Sequence, residues 1–138
     1  MRIVLDTNTL VSGVLTPGPP RRLVDAAKAQ TFQFCTSETL LAELLDVLSR
    51  NKFAARLHKA GLTPQGIVDD LRRIALVVTP LAVPRIVPND PDDDHVLACA
   101  ITAQADLIVS GDKHLLDLQS CAQIPIIKAT EALVRMQR

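Results

Sequence analysis

The chain has 138 residues, of which 48% are hydrophobic but only 2% aromatic, with three Phe and neither Trp nor Tyr. That length suits one domain over residues 1–138, with a core of Leu, Val, Ile and Ala, and the lack of rings argues against a nucleic-acid module that stacks bases on aromatic side chains. Fifteen basic and fifteen acidic residues give a formal charge of zero, yet gathering several acids into one pocket would leave the remaining surface basic, so a polyanionic partner is not excluded.

Arg2-Ile-Val-Leu5 is a β-branched run ending at Asp6 and predicts a buried first strand. A short helix is predicted over residues 7–15, closed by Gly13 and then Thr16-Pro-Gly-Pro-Pro20, with a second over residues 21–30 whose Pro19-Pro20 prelude suits a helix start. Residues 31–35 alternate like a strand. Thr36 or Ser37 then caps a helix reaching Ser49, with Leu40, Leu41, Leu44, Leu45 and Leu48 on one face. A basic helix over residues 52–60 ends at Gly61, and Thr63-Pro64 starts another to Ile74. Residues 75–78 read as a strand, followed by a connection broken by Pro80, Pro84 and Pro88. After the acidic run Asp90-Pro-Asp-Asp-Asp94 comes an Ala-rich helix to Ala103. Residues 107–109 form a strand, 112–118 a short helix and 125–128 a last strand, and Thr130 caps a closing helix. Strands alternating with helices predict a three-layer α/β sandwich around a central parallel sheet.

Cys35, Cys99 and Cys121 are odd in number, lie in apolar segments and form no C-x-x-C pair. A disulfide framework or structural zinc site is therefore not expected, and a reducing compartment fits. The N-terminal segment turns polar too soon for a signal peptide, and no apolar run reaches membrane-spanning length. A soluble, cytoplasmic protein is expected.

In an open parallel sheet, ligands bind beyond the carboxyl ends of the strands. Asp6 follows the first strand directly, and Asp112 follows residues 107–109 after Ser110-Gly111. If those strands are parallel, both carboxylates leave the same sheet edge. Each could equally be a helix N-cap. On a helix starting at Asp94, Leu97, Ala98 and Ile101 share its face, so this carboxylate aims inward, where only a partner or cation makes it tolerable. Asp93 points about 100° away and is the alternative; Asp92 reads as a solvated loop residue near a helix start. Glu43 lies beside the Leu stripe of its helix, with no basic residue at 39, 40, 46 or 47 to pair it, and spacing leaves its role open. Asp90, Asp92 and Asp94 imitate the start of an EF-hand loop, but His95 replaces its glycine and Ile101 its closing glutamate.

The strand ending Asp6-Thr-Asn-Thr9, Asp94 opening an Ala-rich helix, Val109-Ser-Gly-Asp112, and Glu43 on the helix after the second strand together resemble the PIN domain. Residues 90–94 and 105–116 are most similar to bacterial PIN proteins that act as toxins of toxin–antitoxin pairs (VapC-like ribonucleases). The resemblance covers the whole chain. It implies an acidic quartet at Asp6, Glu43, Asp94 and Asp112, leaving the third acid open between Asp93 and Asp94, with Asn8 supporting the first Asp and Ser110 beside the last. It also implies a Mg²⁺- or Mn²⁺-dependent endoribonuclease, often dimeric and often inhibited by an antitoxin. A stand-alone RNA-processing nuclease and an inactive interaction domain are the alternatives. The chemistry agrees: four carboxylates without His or Cys form a hard oxygen site suited to Mg²⁺ or Mn²⁺. RNA backbone contacts are expected from the dense basic segment Arg50, Lys52, Arg56, His58 and Lys59, which could also be an ordinary solvated helix face.

Overall fold

β1 (Arg2–Leu5) is the hinge of the architecture, because both neighbouring strands pair with it in parallel. The computed structural model describes residues 1–81 and 91–137, the side chains of Pro91 and Asp92 excepted. Alternation along β1 sends Ile3 and Leu5 into one core and Val4 into a second on the opposite face. On one side lies β2 (Gln33–Ser37), paired Ile3 to Phe34, with β3 (Leu76–Val78) beyond it. On the other lies β4 (Leu107–Val109), paired Leu5 to Val109, then β6 (Ile124–Ile127). The short β5 (Ser120–Cys121) runs antiparallel on β6, completing the order β3-β2-β1-β4-β6-β5 among the described residues. The expected α/β architecture with a mostly parallel central sheet is therefore present.

Five helices supply most of the first core, to which a sixth adds one leucine: α1 (Thr7–Leu15), α2 (Pro19–Lys28), α3 (Glu38–Leu48), α5 (Pro64–Ile74) and α8 (Ala129–Met136). Of the α3 stripe, Leu40, Leu41, Leu44 and Leu48 are buried as their spacing predicts, and Leu45 at its edge is partly buried. Between α3 and α5, the exposed α4 (Asn51–Lys59) buries Leu57. The second core joins α6 (Pro91–Ala103) and α7 (Lys113–Leu118) to Val4, Cys35 and Ile108.

Gly13 permits a close helix contact. A Cβ placed there would lie 2.5 Å from Val24 Cγ2 and 2.8 Å from the Pro20 carbonyl oxygen, so α1 and α2 meet at a bare backbone. Gly13 is thus inside α1 and does not close it. The two prolines are the first residues of α2 rather than its prelude, a position where the missing N–H is harmless.

Other boundaries shift for identifiable reasons. β2 starts at Gln33, where its ladder to β1 starts opposite Arg2, and continues to Ser37, whose side chain accepts the Leu40 N–H to cap α3. Thr63 caps α5 as expected. Thr130 does not cap α8: the N-cap is Lys128, without a side-chain cap bond, and Thr130 lies in the first turn. The two residues of β5 carry too little pattern to predict a strand; the turn at Ala122 and Gln123, both at positive φ, reverses the chain into β6. Pro84, Pro88 and Asp90 lie outside the described residues.

Candidate active site

Parallel pairing of β1 with β4 brings the backbone N–H of Asp6 onto the carbonyl of Val109, at 3.1 Å. The residues that follow the two strands, Asp6 and Ser110, therefore emerge side by side. Ser110 donates its hydroxyl to Asp6 Oδ2 and accepts the backbone N–H of Asp112 at 2.9 Å. Asp6 Oδ1 accepts the Thr9 N–H at 2.8 Å, capping α1. Asp112 Oδ1 accepts the His114 N–H at 2.7 Å, capping α7. Both acids are thus helix caps as well as members of the strand-end cluster, and the two readings of their position coexist.

Beyond these strand ends lies a cleft of about 200 Å³ whose walls include Asp6, Asn8, Glu43, Arg50, Asp93 and Asp112. β1 and α1 bring Asp6 and Asn8; α3 brings Glu43 and Val47; α6 brings Asp93 and Val96; the start of α7 brings Asp112. Glu43 is half-buried, which its position beside the Leu stripe left open.

Asp94 is not in this lining. It is fully enclosed, and it takes part in polar interactions as do Glu43 and Asp93. Asp93 stands on the cleft, also buried. The rotation of α6 explains the exchange. Of the expected sheet-facing set of Asp94, Leu97 and Ala98 are buried but Ile101 is 40% exposed, whereas Val96, Ala100 and Ala103 are all buried. Those residues stand three, seven and ten positions after Asp93 and share its face. Three Ala or Cys residues in a row near the helix centre, Ala98, Cys99 and Ala100, allow burial almost all round, so apolar spacing there reads the rotation poorly.

Burial raises the Asp6 carboxyl above its ordinary value of 3.8. The hydrogen bonds from Ser110 and Thr9 oppose that shift, and the charge of Asp112 reinforces it. A desolvated acid facing other acids is the arrangement that a bound cation would stabilise. The oxygen-only acids, with neither His nor Cys in the lining, fit a hard divalent ion. Among the described residues, no three His, Cys, Asp or Glu side chains stand close enough to form a preassembled ion site.

Of the basic segment, Arg50 reaches the cleft, as N-cap of α4 and in a 3.5 Å ion pair with Asp46. Lys52 lies 5.0 Å from the centroid of the Phe53 ring, and Arg56, His58 and Lys59 occupy the last turn of α4, where cations favour the helix dipole. The place of Arg50 in the cleft has no sequence signal, since it depends on where α4 turns away from α3. Cys35 and Cys99 are buried thiols, and burial pushes Cys99 up to about 12. No described helix is long and apolar enough to cross a membrane.

Fold and cleft together define a parallel α/β domain with an acidic site beyond the carboxyl ends of its strands. The chain matches the PIN domain over residues 2–114, and it belongs to that family. PIN domains are generally nucleases and typically use divalent metal ions. The structure described as FitAcB from Neisseria gonorrhoeae has a similar fold at 20% sequence identity, with a TM-score of 0.55 over 93% of this chain and 98% of that chain. Among curated proteins, none matches the chain.

Proposed function

We propose that the chain is a Mg²⁺- or Mn²⁺-dependent endoribonuclease that hydrolyses RNA phosphodiester bonds, with Asp6, Glu43, Asp93 and Asp112 as its acidic set. The observation that carries this reading is the convergence of those four residues on one cleft. Asp93 takes the third position because it lines the cleft and Asp94 does not. When bound, a divalent ion would supply charge neutralisation, activation of the attacking water and stabilisation of the leaving oxygen.

The chain's own residues set up that chemistry. Asp6, Asp93 and Asp112 would hold the ion, and Glu43, at the half-buried wall, would orient or deprotonate the nucleophile. Ser110 fixes Asp6 by donating to Oδ2, which leaves that carboxylate ionised more readily than burial alone would allow. Asn8 forms the rim beside Asp6, and Arg50 offers a cation to the scissile phosphate. Lys52, Arg56 and Lys59 on the exposed face of α4 hold flanking RNA backbone.

The similarity of residues 90–94 and 105–116 to bacterial toxins supports a role as the toxin of a toxin–antitoxin pair, acting in the cytoplasm as a homodimer and restrained by an antitoxin protein. The intact acidic set supports an enzyme over an inactive scaffold.

The decisive assay incubates labelled single-stranded RNA with wild type and Asp6→Asn in Mg²⁺, in Mn²⁺ and in EDTA. Wild type should cleave with either metal and stop in EDTA, and the variant should be slower by roughly 100-fold or more. Equal cleavage by the two proteins would refute the assignment. Expression of wild type, but not Asp6→Asn, should arrest bacterial growth; harmless wild type would remove the toxin role and leave an RNA-processing nuclease.

A further inference from the structure

A second hollow lies on the other side of Asp112. We propose that it is a nucleotide subsite, taking a nucleoside monophosphate unit with its phosphate at Lys128 and its base against Pro19 and Pro20. As the seat of the nucleotide next to the cleaved bond, it rests on the nuclease reading above; as a nucleotide site it stands on its own geometry.

The hollow has a volume of about 400 Å³, and small-molecule sites run from roughly 300 to 1,000 Å³. Asn8, Ser110 and Asp112 are shared structure: Asn8 and Asp112 line both this hollow and the acidic cleft, while Ser110 bonds Asp6 in the cleft and lines the hollow. A strand whose phosphate sits among the acids can therefore pass over Asn8 and Asp112 into the hollow without leaving the surface.

The charge balance changes across that wall, from a cleft rich in acids to a hollow with one acid and one base. The cleft gathers Asp6, Glu43, Asp93 and Asp112, whereas the hollow sets Lys128 with Asp112 and carries Ser12 and Thr130 as hydroxyl groups; Lys128 follows Ile127, whose carbonyl accepts the Ser110 N–H at 3.0 Å, so it stands at the strand end beside Ser110. Lys128 is exposed and lines the hollow, so its ammonium can turn to a ligand there. The first turn of α8 adds backbone donors to the same wall, a secondary contribution. A lysine binds phosphate as a point charge and tolerates several approach directions.

The remaining wall is apolar and rigid. Pro19 and Pro20 begin α2 with fixed φ and offer a flat aliphatic surface. No Phe lines the hollow, so a base would pack on proline rather than stack on a ring. Asn8 carries both a donor and acceptors at the shared wall, able to meet a ribose hydroxyl or a base edge.

The test is an NMR titration of ¹⁵N-labelled full chain with nucleoside 5′-monophosphates in metal-free buffer, for wild type and Lys128→Gln. Saturable shifts are expected at the Gly111, Ala129 and Thr130 amides, with affinity roughly tenfold lower in the variant. Lys128 is exposed, so its replacement leaves the fold intact, which the variant's spectrum reports directly. Inorganic phosphate should bind these amides more weakly than the nucleotide. Unmoved amides, unchanged affinity in Lys128→Gln, or equal binding of inorganic phosphate would each overturn the subsite. RNA cleavage separates the two readings: nucleotide binding without cleavage retires the nuclease and keeps the subsite, and cleavage with unmoved amides does the reverse.

Discussion

Ser110 donates its hydroxyl to Asp6 Oδ2 across the ends of two adjacent parallel strands, 104 residues apart in sequence. The same hydroxyl oxygen accepts the Asp112 N–H, so one side chain connects the first and last acids of the cleft. Removing it acts on both charge and shape. In Ser110→Ala, Asp6 loses a bond that lowers its pKa, so the carboxyl rises further. The acidic limb of RNA cleavage should move to higher pH, and Mn²⁺ affinity measured by calorimetry should fall by roughly 10- to 100-fold. An unchanged pH profile would show that Ser110 only supports the turn.

Asp6 also gives the fold a pH signature. Its folded pKa is raised above 3.8, so between that value and the raised one the folded protein binds a proton that the unfolded chain does not. In this window the metal-free wild type should gain stability relative to Asp6→Asn as pH falls, and lose that gain as pH rises through the folded pKa. Denaturant midpoints of the two proteins over pH 3.5 to 7 (about one reading per half unit) would test the sign. A difference that grows in the opposite direction would mean that Asp6 is held below its ordinary value.

Asp93 and Asp94 should separate function from folding. Asp93→Asn should abolish most RNA cleavage while the protein stays folded, because the side chain faces the cleft. Asp94→Ala should instead lower stability by about 1–3 kcal/mol, since a fully enclosed polar group is removed from its interactions. Thermal unfolding and cleavage below the melting range distinguish the two. Greater catalytic loss in a folded Asp94→Asn protein would restore Asp94 as the third acid.

Gly13→Ala should cost about 1–3 kcal/mol, because its Cβ meets both Val24 and the Pro20 carbonyl. Trimming Val24 to Ala in the same chain should not rescue it, since the Pro20 contact is with backbone. Chemical denaturation of the single and double variants measures this. Full rescue would place the strain on the side chain alone.

Replacing Lys52, Arg56 and Lys59 together with Gln should weaken binding of unrelated single-stranded RNAs to a similar extent. The log–log salt dependence should flatten by roughly 0.7 for every phosphate that the variant no longer neutralises. Cleavage of bound RNA should barely change, because none of the three lines the cleft. Loss of dimerisation with unaltered RNA affinity would instead make α4 a protein interface.

Short-range patterns were enough for whatever depends on neighbours along the chain. The β-branched run before Asp6, the Leu stripe of α3, the Thr63-Pro64 start of α5 and the alternation of strands with helices specify a parallel sheet with acids beyond its strand ends. Which side chains meet was settled by packing in three dimensions. Whether Asp93 or Asp94 enters the cleft depends on how α6 rotates on the sheet, and an Ala-rich helix buried nearly all round has no polar face to announce that angle. Likewise Arg50 reaches the acids only through the bend between α3 and α4, and Lys128 joins Pro19 and Pro20 only because β6 lies beside β4. Those meetings are set by packing between distant segments, for which local spacing holds no physical signal.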